Sequence, residues 1–171
     1  MRQIFSTPAV FPARLAAVFG LAALIAASPS AAASGPFANL AGSWTGTGTL
    51  QPANGVAEEI RCNANYQPRG NGGHEVDLQL RCASDSYNFD LSGQFQADEH
   101  DQISGQWTER TRSVGGSAAG VARGDQLQLH IESSGFAATL LMLTSTRRQS
   151  VNIDSQAAGQ VIKASITLNR G

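Results

Sequence analysis

Cys62 and Cys82 are the only cysteines in a chain of 171 residues, and each follows an arginine, Arg61 and Arg81. Three chemistries are open to such a pair. A redox motif wants close spacing of the C-x-x-C kind, which is absent. A zinc site wants four ligands, and no further ligand stands near either cysteine. The third chemistry is a disulfide, which the intervening sequence "RCNANYQPRGNGGHEVDLQLRC" can test. A hairpin tip at Gly72 sets Cys62 opposite Cys82, Ala64 opposite Leu80 and Tyr66 opposite Leu78. The apolar positions of both strands then share one face. Directly opposed residues of antiparallel strands can bring their Cβ atoms within disulfide reach. The bridge would close a loop of about 20 residues, worth roughly 3 kcal/mol by loop entropy. A pair of buried free thiols is the bland alternative.

The remaining reactive side chains do not assemble into a motif. His74, His100 and His130 are isolated: the first two fall in predicted turns and the third on the polar face of a predicted strand. The run Asp98 to Asp101 lacks the alternating acids, the glycine and the distal glutamate of a calcium loop. No G-x-S-x-G elbow is present. Arg123 to Asp125 reads as a turn rather than an adhesion tripeptide. No metal site, cofactor or nucleophile–base pair is implied, so the chain is expected not to be an enzyme. "WTERTR" is the one stretch that resists a bland reading. If Trp107 points inward, so do Glu109 and Thr111, while Arg110 and Arg112 point out. An inward Glu109 needs a partner or a place at a water-filled mouth, where it could orient a ligand's polar group. The plainer reading is a strand end that reaches water.

These residues must be positioned by strands, because the chain alternates apolar and polar almost throughout. Ile60, Cys62, Ala64 and Tyr66 share one face. So do Val76, Leu78, Leu80 and Cys82, then Tyr87, Phe89, Leu91 and Phe95, then Ile103 and Trp107. Leu127, Leu129 and Ile131 follow, then Val151 and Ile153, then Ile162, Ala164, Ile166 and Leu168. Such alternation means strands with one buried and one wet face. The separators "PRGNGGH", "ADEHDQ", "VGGSAAG", "ARGDQ", "ESSGF" and "TRRQS" read as turns at short intervals, the signature of an all-β sandwich or barrel. About eight to ten strands follow from this spacing. Short links favour an up-and-down meander, and closing it removes both exposed edges. Tyr66, Tyr87, Phe89, Phe95 and Trp107 would face the interior. Alternating aromatics serve a filled core and a ligand cavity equally well, and a filled core is the simpler expectation.

Residues 1–33 read as an address. Arg2 and Arg14 precede the apolar run Leu15 to Ala27, and small residues lead to a cut between Ala33 and Ser34. A charged start, a short apolar stretch and an A-x-A site make a secretory signal peptide. The run is shorter than the roughly 20 residues a bilayer span needs. Residues 34–171 are then one domain, expected to be soluble and mildly acidic, which argues against nucleic acid as a partner. Export to the periplasm or beyond also suits a disulfide.

Gly42-Ser43-Trp44, in "LAGSWTGTGTL", resembles the G-x-W opening of lipocalins and related calycin barrels. In those barrels the tryptophan plugs one end and a late-strand basic residue packs across it. The resemblance implies that Arg170 plays that part, with Lys163 and Arg147 as lesser candidates. "LAGSW", "IRC", "LRCASDSY" and "SGQWTERTR" also look like small exported proteins of proteobacteria, a likeness that implies export but no activity. Two functions stay open. One is binding of a small apolar or amphipathic ligand at the barrel mouth, near Tyr66, Tyr87, Phe89, Trp107 and Glu109. The other is a protein-interaction module, such as an inhibitor of an envelope protease, for which "SGPFANL" is the candidate arm.

Overall fold

The computed structural model describes residues 34–53, 55–70, 72–157 and 160–171; the expected signal peptide lies outside them. Ten strands run β1 (Gly42–Pro52), β2 (Glu58–Arg69), β3 (Glu75–Ala83), β4 (Asn88–Ala97), β5 (Gln102–Glu109), β6 (Val114–Arg123), β7 (Gln126–Ser133), β8 (Phe136–Thr144), β9 (Arg148–Ala157) and β10 (Gln160–Arg170). Each pairs antiparallel with its neighbours in sequence, and β1 pairs with β10 to close the barrel. The all-β, up-and-down expectation holds.

Two strands arise where the alternation is faint. "VGGSAAG", expected as a connection, is the body of β6. Its inward positions are Gly116, Ala118, Gly120 and Ala122, too small to register as an apolar stripe. They are small because their neighbours are not: Gly116 pairs with Trp107, and Gly120 with Leu129. In β8 the alternation vanishes for the opposite reason. "FAATLLMLT" is apolar on both faces, with Met142 buried inside and Leu143 42% exposed outside.

The β2–β3 hairpin has the register read from its sequence. Cys62 pairs with Cys82, Ala64 with Leu80 and Tyr66 with Leu78. The turn uses Gly70, Gly72 and Gly73, all at positive φ. Cys62 and Cys82 form the disulfide, their alpha carbons 4.1 Å apart and their side chains buried on the inner face.

One end of the barrel is closed, the end where β1 begins. A 3-10 turn at Ala38–Leu40 lies over it and buries Phe37 and Leu40. Trp44, with no exposed surface, donates its Nε1–H to the Leu40 carbonyl at 2.7 Å. Trp44 and Arg170 are Cα partners, and the guanidinium lies 4.5 Å over the indole. Arg170 also donates Nη1–H to Ala41 O at 2.8 Å and Nη2–H to Asn39 O, so one side chain ties the last strand to the plug. "SGPFANL" is therefore not a free inhibitory arm. Gly35 and Phe37 donate backbone N–H to Gly72 O and Gly73 O, which fixes the segment to the β2–β3 turn.

Candidate functional site

The wall of a closed barrel has two faces, and alternation sends one set of side chains inward. At the closed end Tyr66, Val76, Ile103, Leu127, Met142 and Leu168 are buried, while Phe95, the Cα partner of Val76, is partly exposed. Toward the other end the pattern changes. Leu78, Leu80, Ile131, Leu140, Ile153 and Ala164 point inward and pack on the core, yet each stays partly exposed. Leu91 and Ile162 share that inward, half-exposed state. They belong to β3, β4, β7, β8, β9 and β10, while Leu50, Ile60 and Ile166 remain buried along one side. The barrel is plugged at one end, and toward the other many of its inward apolar residues are less completely buried. Ten strands enclose a wider bore than eight, and many of the residues facing it are Gly and Ala.

Two aromatic pairs stand at the open end. Trp107 faces inward between Gly93 and Gly116, its Cα partners on either side, which leaves room for the indole. Its ring meets Phe136 edge to face, 6.0 Å between centroids, and its Nε1–H donates to Ser117 O. Phe89 enters at the start of β4, with Tyr87 stacked on it at 6.5 Å from the preceding turn. Arg112 lies over the same ring, its guanidinium carbon 5.0 Å from the centroid. Alternation alone sends Arg112 outward. The strand in fact stops at Glu109, and the β5–β6 turn carries Arg112 back over the lip.

Glu109 holds that turn in place. Its side chain is 7% exposed, so the reading of a strand end in water is corrected. Oε1 accepts from Asp90 N at 3.0 Å, Thr111 N at 3.1 Å and Thr111 Oγ1, while Oε2 accepts from Arg112 N at 2.8 Å. Burial opposes ionisation, but these donors outweigh it and hold the carboxyl down at about 2, against an ordinary 4.5. The charged form is therefore the folded form, and Glu109 serves the turn rather than proton transfer at neutral pH.

Of the five residues assigned to the mouth, Tyr87, Phe89, Trp107 and Glu109 lie at the open end. Tyr66 does not. It sits at the plugged end, where its hydroxyl donates to Gln149 Oε1 at 3.1 Å, while Gln149 donates to Thr144 Oγ1. Burial pushes the hydroxyl up to about 12, which keeps it protonated as that donor. Period-two reading gives the face but not the level along the barrel, which is why it groups Tyr66 with the others. Phe136, Leu140 and Arg112 are lip and lumen residues that the sequence did not single out.

The histidines are not gathered. His130 faces outward 3.0 Å from Glu132, and no three His, Cys, Asp or Glu side chains among the described residues converge as metal ligands would. Surface depressions among the described residues include one of about 260 Å³ beside His74, Asp98 and Gln102, and one of about 320 Å³ over Gly120 between Ala119, His130 and Thr139. No helix among the described residues is long and apolar enough to cross a membrane.

No protein-family model matches the chain, and no curated protein matches it in sequence. Among solved structures it is similar to an S-type phycobiliprotein lyase, CPES, from Guillardia theta, with a TM-score of 0.60 over 78% of this chain and 89% of that one. The identity is 13%, which establishes a shared calycin-like fold and no shared activity. The match nevertheless overturns one expectation. A barrel of this architecture bears the name of a lyase, so the lack of a familiar catalytic motif is no ground for holding this chain outside the enzymes. What the geometry and the comparison jointly show is a ten-stranded, calycin-like antiparallel barrel with a disulfide, plugged at one end.

Proposed function

We propose that residues 34–171 are a single exported domain that binds one small apolar or amphipathic ligand in the lumen. The observation that carries this reading is the half-exposed inward wall, Leu78, Leu80, Ile131, Leu140 and Ile153. Apolar surface left facing a cavity gains about 25 cal/mol per Å² when a ligand covers it. The aromatic lip of Tyr87, Phe89, Trp107 and Phe136 adds the kind of flat contact that ligand sites favour. The fold shared with a phycobiliprotein lyase is consistent with a ligand-holding barrel. Residues 1–33 act as the cleaved signal peptide, the destination is the periplasm or the medium, and the disulfide suits either. The chain falls with the small exported proteobacterial proteins it resembles.

The rival reading, an inhibitor of an envelope protease, loses its candidate arm, because Phe37 and Leu40 are spent as the plug. Native mass spectrometry of the barrel isolated from the cells that make it tests the choice. The expected spectrum shows one small-molecule adduct that leaves on unfolding. A retained protein partner would favour the rival, and the bare polypeptide in every preparation would count against ligand binding.

A further inference from the structure

Resting on the reading of the lumen as a ligand site, we propose that the ligand is an anionic amphiphile, with its apolar body in the barrel and its acidic group on Arg112. Arg112 is the cation that the structure lays over the ring of Phe89 at the lip. Only one corner of its guanidinium is used. Nη1–H donates to Asn88 O at 3.0 Å and to Thr111 Oγ1 at 3.2 Å, and Nη1 lies 3.5 Å from Glu109 Oε2. Among the described residues, no acceptor meets Nε or Nη2. Those two atoms form the edge that matches the paired oxygens of a carboxylate, sulfate or phosphate. Three contacts fix the group while this edge stays free, which is a preorganised anion receptor rather than a floppy surface arginine.

The surrounding charges leave Arg112 available. Glu109 is already satisfied by four donors from the turn and β4, so its ion pair with Arg112 is one contact among five. Asp90 is taken by Arg110 at 2.5 Å and Arg81 at 3.6 Å. Glu58 accepts from Ser84 Oγ and Ser86 N across the β3–β4 turn. Arg81 and Arg110 are thus engaged with Asp90, and Glu109 is the one carboxylate beside Arg112. Directly below the guanidinium the wall is apolar: Phe89, then Leu91 and Leu80, which are Cα partners. A molecule with a fatty body and an acidic end matches that sequence of surfaces.

The test is displacement of the fluorescent probe N-phenyl-1-naphthylamine by laurate and by methyl laurate at about pH 8, where laurate is ionised. The quantity read is the ratio of the two dissociation constants, acid over ester. Because Arg112 is half exposed, its replacement in Arg112→Gln is expected to raise that ratio about tenfold. Arg61→Gln, on the outer wall and paired with Glu59, should leave the ratio where it is in the parent chain. Should Arg112→Gln not fold, salt gives the same answer on the unaltered protein. From about 20 to about 500 mM the acid should weaken severalfold and the ester should not. An unchanged ratio in Arg112→Gln, or equal salt dependence of the two ligands, overturns the acidic-head assignment and leaves the lumen site standing. Failure of both ligands and the probe to bind the folded protein overturns the lumen site itself, and this assignment with it.

Discussion

Replacing Glu109 by glutamine removes the charge that organises the β5–β6 turn, and its cost can be worked from the structure. The carboxyl titrates at about 2 when folded, against an ordinary 4.5. Each pH unit between those values corresponds to about 1.4 kcal/mol, so the ionised form's advantage is about 3 kcal/mol at most. The substituted amide would keep part of the accepting role through its carbonyl but would turn an N–H toward Arg112 N or Thr111 N. A loss of about 2 kcal/mol at neutral pH is expected. The pH dependence has a definite sign. A depressed carboxyl contributes its stabilisation above about pH 5 and loses it as pH falls toward 2, since the unfolded chain takes up the proton first. The gap between parent and Glu109→Gln should therefore be widest near neutrality and close through that window. Urea unfolding followed by the fluorescence of Trp44 and Trp107 from about pH 7 down to about pH 2.5 measures it. A gap under about 0.5 kcal/mol at neutral pH, or one that stays constant on acidification, would contradict the donor cage around Glu109.

Three other outcomes follow from named contacts. Cys62→Ser with Cys82→Ser should cost about 3 kcal/mol, read as a lower urea midpoint that added reductant no longer shifts. Gly105→Ala puts a Cβ against the Phe95 ring and 2.5 Å from Gln94 O, so it should destabilise by about 1–3 kcal/mol in the same assay, though the residue is merely one methyl larger. Arg170→Ala removes the cation over Trp44 and two hydrogen bonds to the plug, a loss of about 2 kcal/mol with a red-shifted Trp44 emission, and Arg170→Lys should recover part of both.

The barrel was legible because its wall alternates, and alternation fixes which side of the sheet a residue faces. The β2–β3 register could be read in full, since a glycine-rich tip and two cysteines pin the same alignment. The strands that escaped are those whose inward side chains are too small, as in Gly116 and Gly120, or whose outward ones are apolar, as in Leu141 and Leu143. Position along the barrel axis escaped as well. Tyr66 and Phe89 share a face in sequence, yet one lies at the plug and the other at the lip. Nor does alternation say how tightly the interior is filled, because Leu140 pointing into space and Leu140 packed solid give the same pattern. Arg112 was lost at the point where β5 ends, since a turn carries no period to follow.

The claim on which the functional account stands is that the lumen beside Leu140 is open. Leu140→Trp measures this most directly, through stability and probe binding in one protein. In a hollow barrel the indole occupies free space, so stability should change by less than about 0.5 kcal/mol, while N-phenyl-1-naphthylamine, bound one to one by the parent, should be excluded. A loss of about 1–3 kcal/mol, as overpacking of a solid core brings, together with no probe binding by the parent, would contradict it.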